Sequence, residues 1–240
     1  MAQQSIFSGE DGVVTHVVDG DGWQTTIQLN NIDATPSQYK LSFFAENGTP
    51  QTLQTNLGTG TFVWGTIVAH GSVTIQTAGT KVSLSQGWAL MVTIFVIPGT
   101  TKIASGATVV GTVLFYRPPS MSRPTEASAP LDFSLEGKWI LPFDHLVGYS
   151  SGIAILNHLT YQETTVFVTL YDESGNQIGL DSFNLLRGQH MAFTLTQRYP
   201  QTLNRRGTVR IETSAISINV LGLRFNPNGT ISSTSPTSWF

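Results

Sequence analysis

GWQTTIQLNNIDATPSQYKLSFFAENG, Gly22 to Gly48, is answered by YSSGIAILNHLTYQETTVFVTLYDESG, Tyr149 to Gly175. Asn30 matches Asn157, and at the same spacing Leu29 matches Leu156, Leu41 matches Val168, Phe44 matches Tyr171 and Gly48 matches Gly175. Read this way, two apolar strands, a polar connection and a closing turn recur without a gap. Within the first copy, Trp23, Thr25, Ile27 and Leu29 alternate with Gln24, Thr26, Gln28 and Asn30, the period of a strand with one wet face. Asn47-Gly48 supplies the positive φ of a hairpin turn. A tandem duplication of one β unit follows.

Outward from this pair the matches continue. Gly87 to Thr93 (GWALMVT) resembles Gly207 to Thr213 (GTVRIET), Ala69-His70-Gly71 matches Arg187-Gly188-Gln189, and VVGTVLFYRP has a counterpart in VLGLRFNP. Gly, Pro or Asn interrupts the apolar runs every few residues, and no ten-residue helical pattern stands out. The pattern predicts an all-β chain of two tandem antiparallel β-sandwich, immunoglobulin-like domains, with a barrel as the weaker alternative. The expected division is an arm at 1–12, a sandwich at 13–117, a proline-rich linker at 118–130, a second sandwich at 131–227 and a Ser/Thr tail at 228–240. The linker expectation rests on RPPSMSRPTEASAP, whose prolines would stiffen it.

Composition excludes several functions. The 240 residues are 11% charged and 40% hydrophobic with a net charge of −3. A globular core is affordable, and disorder is not expected. The lone adjacent basic pair, Arg205-Arg206, cannot supply the phosphate contacts of nucleic-acid binding. Cysteine is absent, which removes thiol catalysis, disulfides and cysteine metal sites. The longest apolar run, Trp88 to Pro98, falls well short of the ~20 residues of a membrane helix, so membrane insertion is not expected. Low charge and abundant Thr and Ser point to a secreted or cell-surface bacterial protein. The opening MAQQ has neither a basic nor an apolar signal region, so no signal peptide is expected in this chain.

The strings GW.T.I.L.N, FF..NG, LYD..GN and G.LRFNP resemble the tandem β-sandwich modules of secreted proteins from Acidobacteria and related bacteria. The resemblance implies extracellular, multi-module, non-catalytic use and carries over no catalytic residue.

Asp19-Gly20-Asp21-Gly22 resembles part of a DxDxDG calcium loop but lacks its third acid and distant Glu; Glu10 and Asp11 are the nearest further ligands, and a plain turn is the simpler reading. His16, His70, His145, His158 and His190 lack metal-binding spacing. His70 and His190 flank equivalent turns, which suggests surface positions. No G-x-S-x-G elbow is present, and Glu212, the acid inside a strand, shares a face with Arg210. No catalytic residue and no cofactor are expected. Trp23, Trp64 and Trp88 are the candidate aromatic binding surface, with core packing as the default for any of them and for Trp139 and Trp239. Asn30 and Asn157 read as structural strand-end residues. The leading expectation is a non-enzymatic structural or adhesive module that associates with its own copies or another extracellular protein. The alternatives are binding of polysaccharide or cell wall, and an accessory pair within a larger secreted protein.

Overall fold

A computed structural model describes residues 12–96, 103–104, 108–117, 125–134, 136–158, 162–213 and 218–239. The chain is almost entirely antiparallel β structure. The first unit contains β1 (Gly12–Asp19), β2 (Gln24–Asn31), β3 (Ser37–Ala45), the short hairpin β4 (Leu53–Thr55) and β5 (Gly58–Gly60), β6 (Phe62–Ile67), β7 (Ser72–Gln76), β8 (Ser85–Val96), β9 (Ile103–Ala104) and β10 (Val109–Arg117). β11 (Thr125–Pro130) follows. The second unit contains β12 (Lys138–Asp144), β13 (Ser150–Leu156), β14 (Thr164–Asp172), β15 (Gln177–Leu185), β16 (His190–Thr194), a one-turn helix α1 (Leu195–Arg198), β17 (Arg206–Thr213), β18 (Asn219–Phe225), β19 (Ile231–Thr234) and β20 (Thr237–Ser238).

Four sheets form two stacked pairs, and neither pair closes into a barrel. In the first pair, β1-β8-β3-β6 faces β11-β10-β2-β7; in the second, β12-β17-β14-β15 faces β19-β18-β13-β16. The two orders correspond strand for strand, so the duplication predicted from the repeated stretch is present as topology.

Packing follows the alternation. On β3, Ser37, Tyr39, Leu41 and Phe43 are buried; on β14, Thr164, Val166, Val168 and Leu170 are. The hairpin glycines Gly48 and Gly175 have φ of 80° and 82°. Gly87 and Gly207 are forced by a different constraint. A Cβ there would stand 2.0 Å from the Phe44 carbonyl oxygen or 1.9 Å from that of Tyr171, so any side chain would push the paired strand away.

Two sequence expectations fail in register. Asn157 Nδ2 donates to the carbonyls of Gln162 and Leu185, and Asn31, not Asn30, donates equivalently to Thr35 and Ile67. The backbone agrees: Asn31 N bonds Gly71 O, and Asn157 N bonds Gln189 O. The loop after β13 is therefore one residue longer than the loop after β2, and the repeat has a gap. One residue of slip exchanges the faces of a strand. Leu29 is an inward core residue whose partner is Ile155, while Leu156 faces out. The counterpart of Trp23 is Tyr149, not Ser150.

The linker and tail are also corrected. Thr125–Pro130 is not a tether but an edge strand on β10, running from Arg117↔Thr125 to Thr112↔Pro130. Its prolines do not forbid this, because an edge strand can leave one rim unbonded, and TEASAP alternates buried Thr125 and Ala127 with exposed Glu126 and Ser128. Residues 118–124 lie outside the described residues, as do 1–11 of the expected arm; Gly12 already belongs to β1. In the tail, β19 extends β18 and β20 pairs with Trp139 and Ile140.

The cores of the two units are not separate. One buried cluster runs from Val14, Leu29 and Phe115 into Ala154, Leu221 and Ile231. A second, Val13, Trp88, Leu90 and Leu156, lies wholly across the seam.

Candidate functional site

The turn after β1 is held by its own strands. Gly20 and Trp23 exchange backbone hydrogen bonds, with positive φ at Gly20, Asp21 and Gly22. Asp19 is buried. One of its oxygens accepts the Gly79 N–H at 2.8 Å and the other lies 3.5 Å from Lys81 Nζ. Arg117 approaches Asp21 at 3.8 Å. Two cations thus already face the pair, and the described residues contain no cluster of three or more His, Asp or Glu able to hold a metal. Glu10 and Asp11 fall outside the described residues. The site reads as a turn.

The tryptophans have separate fates. Trp88 is buried at 1% exposure, stacks on Phe44 with centroids 4.3 Å apart and donates Nε1–H to Gly188 O across the seam at 3.0 Å. It therefore cannot serve as a surface platform. Trp23 is half-buried, with Arg117 5.6 Å above its ring. Trp64 is 73% exposed on the outer face of β6, opposite Lys40 of β3. Phe62, two residues before it on the same face, is 45% exposed with Lys40 Nζ 4.6 Å from its centroid. Among the described residues β6 pairs only with β3 and ends its sheet. Trp139 is buried and bonds Ile218 O. Trp239 lies beneath Arg210, whose guanidinium also covers Tyr171. Arg210 thus turns to rings rather than to Glu212.

The histidines are mostly internal. His145 bonds Thr202 O and Ser151 Oγ, and His158 bonds Asn219 Oδ1; burial lowers the pKa of both. His70 sits exposed in its turn at φ 57°. His190 does not: the equivalent turn faces the other unit, and the ring is buried. His16 Nδ1 and His190 Nε2 are 3.0 Å apart, with the rings stacked at 5.1 Å. Burial lowers His16 to about 4. His190 is pushed well below its usual value by burial and by its neighbour. His190 Nδ1 has no hydrogen-bond partner, and the Glu46 carboxylate stands 3.9 Å from it.

Nothing in the sequence reading paired His16 with His190. What brings them together is a bulge in β1 between Val14 and Val17, which turns Thr15-His16 out of the regular ladder and leaves no mark in the sequence pattern. Around this pair the seam is closed by His190 N to Glu46 O, Asn219 Nδ2 to Asp132 Oδ2, and reciprocal backbone bonds between Val13 and Asp132. Ile231 N bonds Thr125 Oγ1 where β19 meets β11.

Two cavities flank His16. The larger, about 290 Å³, lies between the units and is walled by Trp23, Phe115, Phe193, Leu223 and Phe225 with Gln86 and Gln197 at polar points. The smaller, about 160 Å³, lies between β10, β11 and β18–β19. Among the described residues no helix is long and apolar enough to cross a membrane.

No family model matches the chain, and no curated protein matches it. Among solved structures it is similar to the M60 catalytic domain with the CBM51-1 and CBM51-2 domains of Clostridium perfringens ZmpB, at 6% identity and a TM-score of 0.17, covering 83% of this chain and spanning 31% of that one. A likeness of that size fixes neither fold nor function.

Proposed function

We propose that this chain is a non-enzymatic structural or adhesive module of the bacterial cell exterior, acting through the outer edge of its first sandwich. The observation that carries the reading is Phe62 and Trp64, two large aromatic side chains held out to solvent on the open edge strand β6. Such an edge offers unpaired backbone groups and apolar anchors together, the combination used in strand addition and at interface centres. The two units give this edge a stiff mount, since their cores run into one another. Low surface charge reduces repulsion between approaching copies. The buried histidines and the Asp19 carboxylate are engaged in holding strands and the seam, which supports a non-catalytic role. Light scattering and electron microscopy of the intact chain test it. Association that disappears in Phe62→Thr/Trp64→Ser supports the reading, and a monomer at all concentrations for both proteins overturns self-association.

The exposure of Trp64 favours a second reading, stacking on a polysaccharide. A shift in tryptophan fluorescence with soluble glycans, lost in Trp64→Ser, would support it.

A further inference from the structure

We propose that the 290 Å³ cavity at the seam is a binding site for a small aromatic molecule carrying one hydroxyl or N–H donor, which the ring of His16 accepts. The size sets the scale. A dry cavity of ~150 Å³ takes up a benzene, so twice that volume suits a ligand of two fused rings. The walls set the chemistry. Trp23, Phe193 and Phe225 offer ring faces and edges, and the remaining surface is largely aliphatic. Such a lining rewards an apolar, polarisable body over an ion.

The histidine pair sets the polarity. His16 lines the cavity, and its Nδ1 is taken up by His190, which leaves Nε2 as the ring nitrogen available to a ligand. The tautomers of the two rings are linked. Glu46, near His190 Nδ1, favours a proton on that nitrogen. His190 Nε2 is then bare and accepts from His16 Nδ1–H, and His16 Nε2 is bare in turn. A neutral imidazole has one donor and one acceptor nitrogen, so the nearby carboxylate biases the pair toward an acceptor at the cavity. The low pKa of His16 is consistent with a ring that stays neutral there. The site needs both units, because β1 brings His16 and Trp23 follows it, while β16 and β18 bring the phenylalanines.

The test is isothermal titration of the intact chain with 2-naphthol and with 2-methoxynaphthalene, which has the same rings and no donor. Saturable 2-naphthol binding is expected, with the methyl ether bound roughly tenfold more weakly. Ala192→Phe, which fills the cavity from β16, should abolish binding of both. Glu46→Gln, on the surface, should shrink the difference between the two ligands while binding persists. Thr194→Trp is a second filling variant should Ala192→Phe lower the melting temperature. Absence of 2-naphthol binding to the wild type at millimolar concentration overturns the site. So does binding that survives in a folded filling variant. Equal affinity for the two ligands overturns the role of His16.

Discussion

The two units have one topology and opposite outer faces. In the first, the outer side of β8 carries Trp88, Leu90 and Val92; at the equivalent places on β17 the second carries Thr208, Arg210 and Glu212. The facing sheets show the reverse. On β2 and β10 the first unit has Gln28, Asn30 and Thr112, where the second has Ala154, Leu156 and Leu221. At these positions each unit is apolar on the side where the other lies and more polar on the opposite side. Duplication provided two copies of both faces, and substitution kept one of each sticky. In a repeated chain, positions that trade apolar for polar between copies therefore mark the internal interface, while positions apolar in both mark the separate cores. A chain with both faces apolar in both units could join end to end without closing.

Removing the seam's anchor is the harshest way to break this asymmetry. Trp88→Thr installs the second unit's residue, deletes the stack on Phe44 and leaves Gly188 O without its donor. A loss of about 3–5 kcal/mol is expected in urea unfolding, whereas Ser182→Trp, placing an aromatic on the open outer face of β15, should change stability by less than about 0.5 kcal/mol. A comparable loss at both positions would refute the face assignment. Gly87→Ala and Gly207→Ala probe the symmetric part. Both should lose about 1–3 kcal/mol by overpacking, and by similar amounts, since their carbonyl neighbours stand equally close. A large difference between the two melting temperatures would show that the units do not share this constraint.

Acid should weaken the seam. His16 takes up a proton near its ordinary 6.5 when unfolded but only near 4 when folded, so the unfolded chain holds more protons in that window. Stability is complete above pH 6.5 and falls as pH drops toward 4, by roughly 2–3 kcal/mol if the ring stays buried. The double variant His16→Gln/His190→Gln should reduce that slope in denaturation measured from pH 7 to 4, leaving the smaller part due to buried His145 and His158. The smallest effect on stability sharpens the comparison instead. Thr208→Trp/Arg210→Leu gives the second unit the first unit's sticky face; it should leave the melting temperature within a few degrees while raising the mass seen by light scattering.

Strand existence, the β-sandwich class and the repeated topology were legible in the sequence because alternation and turn residues act locally. The register between copies was not. Leu29 and Leu156 look alike, and only the hydrogen bonds of Asn31 and Asn157 reveal the added loop residue. β11 was hidden behind prolines that an edge strand tolerates, and its inward residues, Thr125 and Ala127, are too small to read as core. Trp64 was picked out with Trp23 and Trp88 by type alone; burial distinguishes them, and burial depends on which face the other unit covers. His190 was misplaced for the same reason. What faces the turn at Asp19 and Asp21 was hidden in neighbours distant in sequence, since Lys81 and Arg117 supply the positive charge there.

β11 has a consequence for anyone dividing the gene. It lies after the proline-rich stretch, yet its ladder partner is β10. Cleavage anywhere between Arg117 and Thr125 would send the last strand of the first sandwich away with the second. The fragment 12–117 would keep an empty slot along β10, and the fragment from 125 onward would carry the peptide that fills it. Expressed apart, each half is expected to be poorly soluble and, mixed, to complement the other like the pieces of a split reporter, which would make the cut site a natural place to fuse two proteins whose meeting is to be detected.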